Sequence, residues 1–163
     1  MRLDSKPLPS IYEGKKDFSI SKGFYELAKG GDICLVSTGF MTHTALNAAK
    51  DLLEEGIKVG LLDVFLLKPS NDKEIQKVLK KYKHIITLEE GFLDRGGLGT
   101  LILNLLEDAQ INATIHKMGF KDKHVFTMGS RQDLHKLVGL DKDSVIRAVK
   151  DNLKKPRKNS RRI

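Results

Sequence analysis

Tryptophan is absent, cysteine occurs once, and aromatic residues make up only 6% of the 163 residues. A single cysteine, Cys34, permits no internal disulfide, which excludes a small disulfide-stapled scaffold. It also anchors no zinc site, because His43, His84, His116, His124 and His135 are scattered without metal-ligand spacing. No apolar run approaches the roughly 20 residues of a membrane helix, and the first 16 residues lack the apolar core of a signal peptide. Three motifs are missing as well: the G-x-S-x-G elbow of hydrolases, the dinucleotide G-x-G-x-x-G, and the Gly-Lys-Ser/Thr ending of a P-loop. These absences point to a cytoplasmic protein with no membrane segment.

What is present is a globular composition, 40% hydrophobic and 31% charged, with a net charge of +8. Six of the 29 basic residues lie in KKPRKNSRRI at 154–163, which leaves 23 against 21 acids in the remainder. The excess is therefore a property of a tail. A basic tail can touch phosphates, but a segment of this composition reads first as solvated and disordered, so nucleic acid is not the expected partner.

Residues 1–19 form a polar leader with Pro7, Pro9 and Gly14, extended because proline fixes φ. Two short apolar segments follow, 24–28 and 33–37, separated by Lys29-Gly30-Gly31-Asp32. The paired glycines favour a hairpin between them, with a helix over 22–29 as the alternative. Beyond Ile33, strand and helix patterns alternate. Continuous apolar runs at 33–37, 59–65, 84–88 and 113–118 read as strands covered on both faces. Helical stripes lie between and after them: Ala45, Leu46, Ala49, Leu52 and Leu53; Ile75, Val78, Leu79 and Tyr82; Leu98, Leu101, Ile102, Leu105 and Leu106. Asn71 with Glu74, and Ser130 with Asp133, have capping-box spacing; Leu134, Leu137 and Val138 are the inward set of the helix after Ser130. Asp141 is placed to cap a last helix that Pro156 ends. One domain over 20–153 results, an α/β fold whose sheet is mostly parallel, with right-handed crossovers and helices on both faces.

The candidate site residues gather where the strands end. Gly96-Gly97-Leu98-Gly99 opens a helix, and free amides there would hold an anion. The competing reading is a tight turn that lets a neighbour approach. Glu89 and Glu90 end the preceding strand, but adjacent residues of an extended chain point to opposite faces, so they need not act as an acid–base pair. Thr38-Gly39 forms the turn before the helix carrying His43, whose first-turn position favours a structural role. The rival to a domain of a larger enzyme is a free-standing nucleotide or sugar-phosphate binding module at the carboxyl edge of the sheet.

The order of these motifs resembles a known family. DICLVSTGFMTHTALNAAKDLLEEGIKVGLLDVFLLKP, then HIITLEEGFLDRGGLGTLILNLLED, then SRQDLHKLVGL, is similar to the C-terminal domain of the transketolase family. That family comprises transketolases, 1-deoxyxylulose-5-phosphate synthases and the β subunits of 2-oxoacid dehydrogenases. The resemblance implies a three-layer fold with a five-stranded mixed sheet, four strands parallel and one antiparallel at the edge. It implies a structural and dimer-organising role in two-carbon ketol or aldehyde transfer, within a homodimer or hetero-oligomer. Thiamine diphosphate and Mg2+ would be held by pyrophosphate- and pyrimidine-binding domains that this chain lacks, so no catalytic, cofactor-binding or metal-ligating residue is assigned here. Thr38, Gly39, His43, Glu89, Glu90, Gly96, Gly97 and Gly99 would face or shape the junction with an adjoining domain. The stretch 119–129 departs from the family pattern.

Overall fold

The computed structural model describes residues 7–14 and 17–154, so the tail read at 154–163 lies almost wholly outside the described residues. Its five strands are β1 (Phe24–Ala28), β2 (Ile33–Ser37), β3 (Gly60–Val64), β4 (His84–Phe92) and β5 (Thr114–Phe120), in the order β1-β3-β2-β4-β5. The last four run parallel, and β1 pairs antiparallel with β3 at one edge. Helices α1 (Met41–Glu54) and α5 (Lys142–Leu153) cover one face; α2 (Asp72–Leu79) and α3 (Leu98–Asp108) cover the other. The short helix α4 (Arg131–Val138) precedes α5. This is the three-layer mixed sheet that the resemblance implies.

The pleat explains the composition of the central strand. All five residues of β2 are buried: Ile33 and Leu35 pack with α1 and α5, while Cys34 and Val36 pack with α2 and α3. A strand covered twice has no polar side to alternate with. In α1 the buried positions are Met41, Thr42, Ala45, Ala48 and Leu52. Full burial of a side chain such as Leu52 is worth about 1.5–3 kcal/mol. Leu53, assigned to the inward stripe from the sequence, is 55% exposed, because the stripe is centred one position earlier.

Segments 24–28 and 33–37 are both strands, but they do not form the expected hairpin, and the helix alternative over 22–29 is not adopted. β3 lies between them. The crossover through α1 sets β3 parallel to β2, with Cys34 opposite Gly60, and β1 then pairs on the far side of β3, with Phe24 opposite Val64. Gly30 and Gly31 carry the chain past the start of β3 instead of reversing it. A Cβ on Gly31 would lie 1.9 Å from the Lys58 carbonyl oxygen, at a φ of +67°. Caps also differ from expectation. Ser130 and Asp133 form the full capping box, and Gly139 closes α4 in the left-handed region. Asn71 and Asp141 occupy N-cap positions without a side-chain cap; Asp141 instead accepts a hydrogen bond from the Ser144 hydroxyl.

Gly31→Ala is expected to destabilise the fold by about 2–4 kcal/mol, since strain and collision with backbone coincide there. Gly56→Ala has a similar φ of +79° but nothing within 4 Å of the added Cβ, and isolates the strain alone, about 1 kcal/mol. Urea midpoints of the two variants measure the difference.

Candidate functional site

The carboxyl ends of the parallel strands bring the candidate residues to one edge, on both sides of the sheet. Successive residues of β4 diverge. Ile85, Thr87 and Glu89 lie toward α3; Ile86, Leu88 and Glu90 lie toward α1 and α4. Glu89 is 4% exposed, and its two carboxylate oxygens accept from the backbone amides of Leu98, at 2.9 Å, and Gly99, at 2.8 Å. These are first-turn amides of α3, whose N-cap, Gly97, has no side chain to offer. The glycines exist to admit the carboxylate. A Cβ on Gly97 would sit 2.0 Å from a Glu89 oxygen, and one on Gly91 would sit 2.6 Å from it. Gly99 is buried against Lys117 and Thr87, whereas Gly96 is exposed at a φ of +81°. The amides that an anion would use at this turn are therefore taken from within the chain, in keeping with the reading of a tight turn that admits a neighbour.

Glu90 takes the opposite face. His135 Nε2 lies 2.9 Å from Glu90 Oε1, and Arg131 Nε lies 3.1 Å from the same oxygen. The Arg131 guanidinium also stacks over Phe40, 4.3 Å from the ring centroid, and Phe40 meets His135 edge-on at 5.5 Å and His43 at 6.1 Å. His43 thus joins the group through Phe40. Thr38 and Gly39 form the turn beneath it: the Thr38 amide donates to the Leu88 carbonyl at 3.2 Å, and the Thr42 amide to the Gly39 carbonyl at 3.1 Å.

Several participants were not singled out from the sequence. Arg131 and His135 are four residues apart, the spacing that puts two side chains on one helix face. His135 is 4% exposed and Leu137 58% exposed, the reverse of the apolar reading of α4. Asp63, inside an apolar run at the end of β3, is 4% exposed. Thr42 Oγ1 donates to its Oδ1 at 2.8 Å, and the Tyr12 hydroxyl donates to its Oδ2. Burial pushes the Asp63 carboxyl above its ordinary 3.8, and the bonds from Tyr12 and Thr42 offset part of that rise. Tyr12 stacks on Phe18, centroids 4.0 Å apart, and meets Tyr25 and Phe65 edge-on, each at 5.9 Å. The residues ahead of β1 are thereby fastened to the sheet at its carboxyl edge.

Both acids at the end of β4 are committed to protein donors, so the geometry closes a helix end and orders a surface. Among the described residues, no three His, Cys, Asp or Glu side chains converge on a metal-sized site, and no helix is long and apolar enough to cross a membrane. A diphosphate does not fit the glycine turn, whose Leu98 and Gly99 amides are bonded to Glu89.

An α/β domain with this sheet order and an internally capped glycine turn defines a class, and comparison with known proteins narrows it. Residues 24–145 match the model of the transketolase C-terminal domain, and the chain belongs to that family. It is 32% identical to a 1-deoxy-D-xylulose-5-phosphate synthase of Clostridium tetani, over 91% of this chain and 22% of the relative. It is 30% identical to one of the subunits of the apulose-4-phosphate transketolase of Actinobacillus succinogenes, over 90% of this chain and 46% of the relative. A split-gene transketolase, solved as an inactive β4 tetramer, superposes with a TM-score of 0.76 at 30% identity, covering 90% of this chain and 46% of that one. The transketolase of Campylobacter jejuni, at 17% identity and a TM-score of 0.58, shares the fold. The chain spans less than half the length of these relatives.

Glu89→Ala should cost about 2–4 kcal/mol, because it leaves two buried amides without an acceptor, while Glu89→Gln, which keeps one acceptor oxygen, should cost about 1–2 kcal/mol. Urea unfolding of the three proteins checks that order. For Asp63 the folded-state affinity for a proton exceeds that of the unfolded chain, so its ionisation opposes folding. That penalty is absent below 3.8 and grows as pH rises through the raised folded value. The Tm of the native protein relative to Asp63→Asn is therefore expected to fall from acid toward neutral pH.

Proposed function

We propose that this chain serves as the C-terminal domain, or as part of a separately encoded subunit, of a thiamine diphosphate-dependent transketolase-type enzyme. Its role is structural: it organises subunits for transfer of a two-carbon ketol or aldehyde unit in the cytoplasm. The observation that carries this reading is the family match across 24–145, supported by an edge at which Glu89 already occupies the glycine turn. Thr38, Gly39, His43, Glu90 and Gly96 then face an adjoining domain, with Phe40, Arg131 and His135 holding Glu90 and His43 in place. Thiamine diphosphate supplies the carbanion-stabilising chemistry when bound, and it and Mg2+ belong to the pyrophosphate- and pyrimidine-binding domains of the assembly. Homo-oligomers and mixed oligomers are both compatible with the relatives, one of which is a transketolase subunit and another a β4 tetramer.

No observation favours the nucleotide or sugar-phosphate module, since the amides it would use are taken. Titration of the isolated chain with thiamine diphosphate and Mg2+ in a calorimeter should give no binding heat. A micromolar dissociation constant for this chain alone would overturn the assignment.

A further inference from the structure

Among the described residues, four of the five α-helices carry or meet a cation at the C-terminal end, and α3 does not. Lys77, Lys136 and Lys150 lie in the last turns of α2, α4 and α5, and Lys150 also pairs at 2.6 Å with Glu55, just past α1. α3 has no basic residue in its last turn and ends instead in two exposed acids, Glu107 and Asp108. Among the described residues no ion pair reaches either acid. Carboxylates at the negative end of a helix dipole are unfavourable, and a cation is the group that relieves them. Beside these acids a groove of about 380 Å³ opens between the end of α3 and the start of β5, walled by Leu103, Leu106, Ile111, Ala113 and Ile115. β5 is the outermost strand, so the groove lies at the rim of the sheet. Acids beside an apolar wall suit Lys and Arg, whose aliphatic stems lie along apolar surface while their heads reach carboxylates.

The chain itself holds such a segment. Residues 155–163, which lie outside the described residues, carry Lys155, Arg157, Lys158, Arg161 and Arg162, with no acid and with Pro156 and Ile163 as apolar members. They follow α5, whose Lys150 meets Glu55 between α1 and β3, so α5 ends at the edge where the parallel strands begin. α3 ends at that same edge, ahead of the first residue of β5. α5 packs on β2 and β4, and α3 packs on β4 and β5 from the other face, so the two helix ends lie on either side of the start of β4. Nine extended residues reach up to about 30 Å, against about 20 Å between layers packed on the two faces of one sheet. Tethering also supplies a local concentration on the order of mM, so a small groove suffices.

We propose that residues 155–163 dock in cis into this groove, with their cations set against Glu107, Asp108 and the C-terminal end of α3. The basic excess of the sequence then serves as an internal charge partner in place of a solvated arm. The test uses the full chain, isotope-labelled for NMR, with a nitroxide on Ser160→Cys; Cys34 is buried and stays unlabelled. Glu55 and Ile57 lie at the same edge on the face that α5 covers, so residues 54–57 report a tail that merely swings about Lys154. Amide signals of 107–113 are expected to lose at least about twofold more intensity than those of 54–57, which a freely moving chain would sweep at least as often. Raising NaCl from about 0.05 to about 0.5 M, or Glu107→Gln with Asp108→Asn, should lower that preference at least about twofold. A smaller preference for 107–113, or one unchanged in the charge-neutral variant, overturns the docking. So does equal broadening when the labelled chain without nitroxide is mixed with a separate spin-labelled chain, because the contact then belongs to a second copy.

Discussion

Two backbone amides at the start of α3, bonded to the carboxylate of Glu89, tie the longest strand of the sheet to the helix that follows it. Free amides and the helix dipole make such an end attractive to any anion, and here the anion is built in. Charge-assisted bonds of this kind contribute about 1.5–3 kcal/mol each, enough to set the local chain path. The carboxylate must come close, so Gly91 and Gly97 carry no side chain, and it must be buried, so β4 extends beyond its apolar run.

Once Glu89 is committed to α3, the pleat sends Glu90 the other way, into Arg131, His135 and the ring of Phe40. Two neighbouring acids with one chemistry thereby serve opposite layers. One seals a helix from inside; the other fixes the side chains around His43 at the surface. In this member of the transketolase C-terminal domain family, the two acids thus order one sheet edge from both faces.

The strands and the alternation of elements were legible in the sequence because burial on both faces writes itself as continuous apolar runs, as in Ile33 to Ser37. The opposite destinations of Glu89 and Glu90 followed from the pleat. Helix phase was read less well. Leu53 and Leu137 looked inward by spacing, yet the cores select Ala48 and His135, because small residues suit close helix packing and a histidine is buried where a carboxylate meets it. The hairpin failed for another reason. Pairing partners of a strand are chosen by crossover topology, and nothing local to Gly30-Gly31 announces that β3 will slide between. The Tyr12–Asp63 bond spans 51 positions, and no periodicity reports a contact of that range.

Placing β1 at the edge, antiparallel and last in the row, has a consequence for heredity. The chain enters the sheet from outside, without passing between strands, so a break ahead of it removes no inner strand. The contacts crossing such a break are a tyrosine latch and a few aromatic rings. A fold entered in this way tolerates changes of the gene ahead of β1 that leave the inner strands in place.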